Sequence, residues 1–210
     1  FVSYEETPGP FQTGPSHLYV SDRTTGISEP VPDPQGNATN TGGFPSLSYD
    51  GRYVSYLWRA SGSASMAGYL YDRVGHTTVR ITPDADYVAG VRLSADGATA
   101  VYGTAADGIV TGDTNGRYDV FLWDRASGTT ARITDNQQGL AEVSQFGIPS
   151  ISGDGNTVVF DVDVADPYRH DLFLWDRASG NARLIGGNVS RCDVPERRAR
   201  TARATPMSGP

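Results

Sequence analysis

The 210-residue chain has a single cysteine, no long apolar run and fewer basic than acidic residues. Because Cys192 has no possible partner within the chain, intramolecular disulfide bonds cannot stabilise the fold. No stretch approaches the roughly 18 apolar residues that a membrane-spanning helix requires, so we expect no membrane span. The net charge of −7, from 17 Lys and Arg against 24 Asp and Glu, argues against a nucleic-acid partner, since phosphates demand basic surface. No charged segment followed by an apolar stretch opens the chain, so no signal peptide is visible.

Turn-forming residues are abundant, with 25 glycines and 13 prolines. Together with many Tyr, Val and Thr, they are typical of a protein built from short strands and frequent turns. The composition therefore favours an all-β fold.

The octapeptide FLWDRASG occurs at 121–128 and again, unchanged, at 173–180. Related segments are HLYVSDRTTG at 17–26 and GYLYDRVGHT at 68–77. Recurrence at a spacing of about 50 residues indicates a repeated supersecondary unit.

A Ser-x-Asp-Gly turn precedes three of these segments, in SLSYDGRYVSY at 46–56, RLSADGATAVY at 92–102 and SISGDGNTVVF at 150–160. We expect each Asp-Gly pair to supply the positive backbone dihedrals of a tight hairpin. After each turn, apolar and polar residues alternate with the period of two that a strand requires. A further β-prone segment follows each copy of the WDR strand, which gives four antiparallel strands per repeat.

Four-stranded antiparallel units in a repeating order predict a β-propeller with about four visible repeats. A β-sandwich would explain the alternation, but not the repeated order of motifs. We place the propeller repeats at residues 1–187, with blades at about 1–32, 43–82, 88–134 and 144–187. The opening FVSY aligns with residues 53–56, so the first blade begins at its second strand.

Residues 188–210 do not continue the repeat and are expected to be a disordered or non-native tail. The alternative is that residues 187–194 supply the missing first strand of the opening blade. That strand would close the ring and cover its exposed edges.

The Pro-Ser-x-Ser-x-Asp-Gly segments at 45–51 and 149–155 and the [FY]-L-[WY]-D-R strands resemble the TolB-type, WD40-like (PD40) β-propeller repeats of bacterial proteins. The resemblance covers about residues 1–187. It implies an extracytoplasmic location, secreted or periplasmic. Such propellers have six to eight blades, so the resemblance also implies a fragment of a larger ring or a small ring that closes in another way.

Few motifs point to catalysis. No Gly-x-Ser-x-Gly nucleophile elbow occurs, and the Asp-Gly turns lack the tryptophan of a sialidase Asp-box. His17, His76 and His170 are far apart in sequence, and the acidic residues Asp161, Asp163 and Asp166 are expected to solvate a loop. Of the three tryptophans, Trp58, Trp123 and Trp175, the last two share a repeat position, which favours a structural role between blades.

The segment TGDTNGRYDV contains an Asp-x-Asn-x-x-x-Asp array of Asp113, Asn115 and Asp119, with Gly116 allowing a bend between the ligands. Calcium prefers six to eight such oxygen ligands, so the array is a candidate calcium site. A looser equivalent is formed by Asp163, Asp166 and Asp171. The alternative is that these side chains only stabilise turns by accepting hydrogen bonds from their own backbone.

The sequence thus favours a non-catalytic binding or scaffolding module with no cofactor other than the candidate calcium. The expected partner is a protein or carbohydrate bound at a propeller rim, and the open blade edges also predict self-association. The alternative is the propeller portion of a larger peptidase or carbohydrate-active enzyme, with its catalytic residues outside this chain.

Overall fold

The structure is a computed structural model that describes residues 1–6, 17–37, 43–85, 87–114, 116–134, 147–163 and 170–187. These residues form strands, turns and loops without any helix, so the expected all-β class is confirmed. The same part of the chain accordingly contains no helix that could cross a membrane.

Four antiparallel sheets follow one another along the chain. The first sheet has the order β1-β2-β3 and is built from β1 (Val2–Glu6), β2 (His17–Ser21) and β3 (Ser28–Pro30). The second has the order β4-β5-β6-β7, with β4 (Gly43–Leu47), β5 (Tyr53–Trp58), β6 (Ala67–Asp72) and β7 (Thr77–Arg80).

The third and fourth sheets repeat this four-stranded order. The third contains β8 (Val88–Leu93), β9 (Thr99–Thr104), β10 (Asp119–Asp124) and β11 (Thr130–Arg132). The fourth contains β12 (Ser150–Ile151), β13 (Thr157–Asp163), β14 (His170–Asp176) and β15 (Asn181–Gly187). Gly187 thus ends an outer strand, and the rest of the candidate closing segment lies outside the described residues.

The central strand pair has the same register in every sheet. The equivalent facing pairs are Tyr4–Tyr19, Tyr56–Tyr69, Tyr102–Phe121 and Phe160–Phe173. In the second, third and fourth sheets the two rings stack, with centroids 5.9, 5.4 and 5.9 Å apart. Cross-strand aromatic pairs of this kind stabilise antiparallel sheets, so the same stacked pair stabilises each of these three sheets.

Each sheet has two different faces, because successive side chains of a strand point in opposite directions. We call the face that carries the ring-pair positions the aromatic face, and the opposite face the aliphatic face. The aliphatic face of one sheet packs on the aromatic face of the next. These contacts form three buried clusters. The cluster between the first and second sheets contains Leu18, Val20, Val54 and Tyr56. The cluster between the second and third sheets contains Leu57, Leu70, Tyr102, Phe121 and Trp123, and the cluster between the third and fourth contains Val101, Val120, Leu122, Phe160, Phe173 and Trp175.

The Ser-x-Asp-Gly turns differ from the sequence expectation. Only their glycines have a positive φ, 73° at Gly51, 64° at Gly97 and 72° at Gly155, whereas the preceding aspartates do not. The aspartate instead accepts hydrogen bonds: Asp50 Oδ1 receives one from Ser48 Oγ at 2.6 Å and one from the Arg52 amide at 3.0 Å. The aspartate therefore closes the loop through hydrogen bonds to its side chain, and its own backbone is not left-handed.

The same turns also join neighbouring sheets. The Tyr49 amide donates to the Ala95 carbonyl at 2.7 Å, and the Ala95 amide donates to the Gly153 carbonyl at 2.9 Å. These bonds form a directional row from the second sheet to the fourth.

In the second, third and fourth sheets, the arginine that follows the WDR-type aspartate reaches the preceding sheet. Arg73 lies over the Phe1 ring at 5.0 Å, Arg125 lies over the Tyr53 ring at 4.3 Å, and Arg177 contacts Thr99 Oγ1 at 3.3 Å. We call these residues the sheet-linking arginines. Their guanidinium groups also donate to the carbonyls of the turn glycines, so that turn and sheet contact are fixed together.

Substitution of Gly97 by alanine should destabilise the protein more than substitution of Gly62. Both glycines have a positive φ, so both changes strain the backbone. At Gly97 the added Cβ would also lie 2.5 Å from the Tyr53 ring, whereas at Gly62 it would meet nothing within 4 Å. The clash should add about 1–3 kcal/mol to the loss of unfolding free energy, measured by urea denaturation. Equal losses for the two variants would contradict this contact.

Asp72→Asn should lower stability at neutral pH but not at low pH. The hydrogen bond from Arg52 is the main reason that the pKa of Asp72 falls to about 2, with burial acting in the opposite direction. Because the folded pKa is depressed, this stabilisation is complete above the unfolded value of 3.8 and is lost as the pH falls through about 2. We expect a cost of about 1 kcal/mol at pH 7, less than full linkage gives, since the Arg52 side chain is 41% exposed.

The matched control is Asp84→Asn, because Asp84 pairs with Arg80 at 3.0 Å but its side chain is 67% exposed. Because exposed ion pairs contribute little, this variant should cost much less stability at pH 7 than Asp72→Asn does. A difference between wild type and Asp72→Asn that is constant over the acidic range would show that the ion pair does not produce the effect.

Candidate functional site

Two of the three residues predicted to bind calcium are brought together in the third sheet. Asp119 begins β10, and Asp113 lies in the loop between β9 and β10. That loop is folded back by hydrogen bonds from the Asp113 amide to the Val110 carbonyl, at 3.1 Å, and from the Gly108 amide to the Asp113 carbonyl, at 2.8 Å. Asn115 lies outside the described residues.

A guanidinium group lies between the two carboxylates. Arg132 Nη1 is 3.0 Å from Asp113 Oδ1 and 3.3 Å from Asp119 Oδ2. Thr134 Oγ1 donates to Asp119 Oδ1 at 2.5 Å. The exposed fractions of the three charged side chains are 12%, 1% and 8% for Arg132, Asp113 and Asp119. The cluster is therefore a buried ionic network that already contains a cation.

The charges of this network are not fully balanced. Burial raises the pKa of Asp113, and the nearby charge of Asp119 raises it further, while Arg132 acts in the opposite direction. Asp113 Oδ2 is buried and has no hydrogen-bond partner among the described residues. Calcium would have to compete with Arg132 for these oxygens, and the described residues contain no group of three or more His, Cys, Asp or Glu arranged to hold a metal ion. Calcium binding remains a prediction.

The other acidic and histidine candidates are dispersed. His17 begins β2, His76 lies in the turn between β6 and β7, and His170 begins β14. In the looser fourth-sheet array, Asp171 is buried at the second position of β14. Asp166 and the side chain of Asp163 lie outside the described residues, so this array cannot be assembled from them.

The tryptophans lie between sheets. Trp123 and Trp175 occupy equivalent positions, and each is buried against the sheet that precedes its own. Trp58 packs edge-on against Tyr69 at 6.1 Å. The indole rings of Trp123 and Trp175 are part of the buried core, and Trp58 is partly buried.

A cleft of about 500 Å³ lies where the first and second sheets meet. One wall is the segment that follows β3, and the other is formed by β6, β7 and their turn. The lining contains no Asp, Glu, Lys or Arg; its residues are Pro30, Pro32, Pro34, Gln35, Gly36, Tyr71, His76 and Thr78. We call this feature the proline-lined cleft.

The segment behind the proline wall is held rigidly. Val31 is buried in the core, and Tyr56 Oη of the second sheet donates to the Pro32 carbonyl at 3.0 Å. Asp33 is also buried and accepts hydrogen bonds from the amides of Gln35, at 2.8 Å, and Asn37, at 2.9 Å. Burial raises the pKa of Asp33, but the hydrogen bonds to its carboxylate outweigh burial and lower it. An ionised, fully bonded Asp33 therefore fixes this wall.

Sequence reasoning missed the cleft, although a signal was present. Prolines occupy positions 30, 32 and 34, and the residues between them, Val31 and Asp33, are buried. This strict alternation places three pyrrolidine rings on the outer side of one segment. On the opposite wall Tyr71 Oη lies 3.2 Å from His76 Nδ1, so the polar groups are also positioned.

No protein-family model and no curated protein matches the chain. Solved structures do match its fold. TolB from Acinetobacter baumannii is similar over 87% of this chain and 40% of its own, with 18% identity and a TM-score of 0.60. The β-propeller domain of the trilobed protease from Pyrococcus furiosus is similar over 90% of this chain and 54% of its own, with 12% identity and a TM-score of 0.57.

A prolyl endopeptidase structure is also similar, over 83% of this chain and 26% of its own, with 13% identity and a TM-score of 0.60. At these identities the likeness concerns the fold alone. It confirms the expected β-propeller architecture of antiparallel blades. The chain spans less than two thirds of the length of each of these proteins.

Replacing Arg132 by methionine should destabilise the protein strongly. The change leaves two buried carboxylates without their cation, and breaking a buried pair in this way costs about 3–5 kcal/mol. If Asp113 and Asp119 can bind calcium, millimolar calcium should raise the melting temperature of Arg132→Met more than that of wild type, because the competing cation is gone.

The control is the double variant Arg132→Met with Asp113→Asn. It removes one of the two charges, so it should be more stable than Arg132→Met and should not respond to calcium. Calorimetry with magnesium in parallel would separate specific binding from a general salt effect. Melting curves unaffected by calcium in all variants would eliminate the predicted site.

Proposed function

We propose that this protein is a non-catalytic binding module that holds an uncharged, extended segment of a protein partner in the proline-lined cleft. The observation that carries the proposal is the cleft itself, an open concavity between two sheets whose proline wall is held by hydrogen bonds to Pro32 and Asp33. Small ligands and peptides bind preferentially in preformed, mostly apolar clefts with a few positioned polar groups.

The lining favours a peptide over a sugar. Proline and tyrosine rings offer flat apolar surface, which suits an extended chain in the polyproline conformation. A sugar would bury many hydroxyl groups that each need a hydrogen-bond partner, and the polar side chains available to them in the lining are Gln35, Tyr71, His76 and Thr78. Burial raises the pKa of Tyr71, and its hydroxyl lies 3.2 Å from His76 Nδ1. The lining offers a charged ligand no Asp, Glu, Lys or Arg side chain.

Location and family form part of the same proposal. The recurrent Asp-Gly turns and WDR strands, together with the fold likeness to TolB, support membership of the TolB-type, WD40-like (PD40) repeats and an extracytoplasmic location. A fold without disulfide bonds suits either side of a bacterial membrane, so the repeat motifs and the fold likeness provide the support.

A second candidate is the propeller portion of a larger enzyme. The observation that favours it is the likeness to a prolyl endopeptidase, of which this chain spans 26%. In that case a blade rim would contact a catalytic domain. A reading frame that continues into a domain with a Gly-x-Ser-x-Gly elbow would favour this candidate over a separate binding module.

Peptide binding should depend on the cleft. An array of acetylated and amidated neutral peptides with prolines at varied spacing would be screened, and the tightest would be measured by fluorescence polarisation. Thr78→Lys places a long charged side chain in the cleft and should weaken binding about tenfold or more, since an uncharged ligand offers it no partner.

Thr77→Lys is the matched control, because Thr77 is an exposed neighbour on the same strand and does not line the cleft. It should bind like wild type. Neutral oligosaccharides would be tested in parallel, and binding of these instead of peptides would replace the peptide proposal. Equal effects of the two lysine variants would place any binding elsewhere.

A further inference from the structure

The turn between β6 and β7 differs from its three repeats at one backbone position. In every sheet the fourth residue after the WDR-type aspartate has a positive φ. In the first, third and fourth sheets that residue is a glycine, namely Gly26, Gly128 and Gly180, with φ values of 73°, 68° and 67°. In the second sheet it is His76, with a φ of 50°. The histidine therefore occupies a left-handed position that glycine adopts without strain and that a residue with a Cβ does not.

The space around the turn does not explain this difference. A Cβ added at Gly26, Gly128 or Gly180 would meet nothing within 4 Å, so the other three turns also have room for a side chain there. The strained residue lies in the turn that lines the proline-lined cleft. Residues held in sparsely populated backbone conformations cluster at binding and catalytic sites, where the strain is part of the function. The position of His76 thus indicates a role in the cleft.

The imidazole ring of His76 is oriented by Tyr71, whose Oη lies 3.2 Å from His76 Nδ1. A phenol hydroxyl is a good donor and a neutral imidazole nitrogen is a good acceptor, so we assign the proton of this bond to Tyr71 Oη. The neutral ring then carries its own proton on Nε2, and in the charged ring Nε2 is a donor as well. Nε2 of His76 is therefore a hydrogen-bond donor in both protonation states.

We propose that His76 binds the ligand of the cleft directly, by donating a hydrogen bond from Nε2 to a backbone carbonyl of a proline-containing peptide segment. This inference rests on the proposed function and names the chemical group that the cleft recognises. The strain at His76 is the cost in stability of placing this donor in the cleft.

A proline-containing segment suits such a donor. Proline has no backbone N–H, and the polyproline conformation forms no internal hydrogen bonds, so the carbonyls of such a segment are acceptors without partners. A single donor can fix the register of such a segment, while the rings of Pro30, Pro32 and Tyr71 provide apolar contact. His76 would therefore determine which carbonyl of the segment lies in the cleft.

His76→Gly tests the proposal, because it should raise stability while it weakens binding. Glycine relieves the left-handed strain, and although it also loosens the unfolded chain, the melting temperature should rise by about 2 °C. The dissociation constant of the tightest peptide from the neutral, proline-containing array should rise about fivefold to tenfold, as expected for the loss of one hydrogen bond. A substitution that merely damaged the fold would lower both stability and affinity.

Gly128→His is the matched control, since it places the same side chain at the equivalent position of the third sheet, where a Cβ meets nothing within 4 Å. It should lower the melting temperature by about 2 °C and should bind the peptide like wild type.

A scan of the peptide with thioamides tests the predicted acceptor. Each carbonyl oxygen in turn is replaced by sulfur, which is a weaker acceptor. At one position the replacement should weaken binding to wild type about threefold or more, and the same replacement should have no effect on binding to His76→Gly. This double-mutant cycle assigns the hydrogen bond to one pair of groups. Equal effects on both proteins at every position would overturn the proposed bond.

The remaining outcomes separate this inference from the proposed function. If Thr78→Lys weakens peptide binding and His76→Gly does not, the cleft remains the binding site and the role of His76 is wrong. If His76→Gly melts below wild type, the histidine serves the fold and the proposal is also overturned. If no peptide of the array binds to wild type, the proposed function fails and this inference fails with it.

Discussion

The fold depends on one packing constraint, which is that each small sheet must bury two unlike faces. A lone blade could not do so, because its aromatic rings and its aliphatic side chains point in opposite directions. The same cross-strand pairing in the second, third and fourth sheets keeps each ring pair on the side of the preceding sheet. Directional contacts between sheets follow directly from this register. The turn hydrogen bonds and the sheet-linking arginines add further contacts between neighbouring sheets, beside the packed side chains.

The features that could be predicted from sequence are local ones. Alternation of apolar residues located the strands, and the recurrence of Ser-x-Asp-Gly and WDR located the repeats, because both depend on neighbouring positions along the chain. The wrong prediction concerned the backbone of Asp50 and its equivalents. The Asp-Gly pair predicted a positive φ at the aspartate. In the structure the aspartate instead accepts a hydrogen bond, through its carboxylate, from the serine two residues earlier. That serine recurs in all three turns, so the information was present in the motif.

The arrangement of the candidate sites could not be predicted from the sequence, because it depends on which strands and sheets are neighbours. Asp113 and Asp119 are close in sequence, so the sequence alone predicted that they share a site. Arg132 reaches them only because β11 pairs with β10. The sequence pattern of a cation site and that of a buried ion network are the same until the neighbouring strand is known. The proline-lined cleft is harder still to predict, since its walls come from two sheets and Tyr71 is remote from Pro32 along the chain.

The division between scaffold and site follows the repeat. Val31, Ile81 and Ile133 hold equivalent positions after the last strands of their sheets, all three are buried, and each donates its amide to a carbonyl of the neighbouring strand. The segments beyond these three residues differ, because only the first sheet continues into alternating prolines. The packing of blades is therefore repeated while the connections vary, which is how a propeller can carry different ligands on one core. A substitution at the shared positions should therefore weaken the packing of the sheets, whereas the connections that follow them are not bound by the repeat.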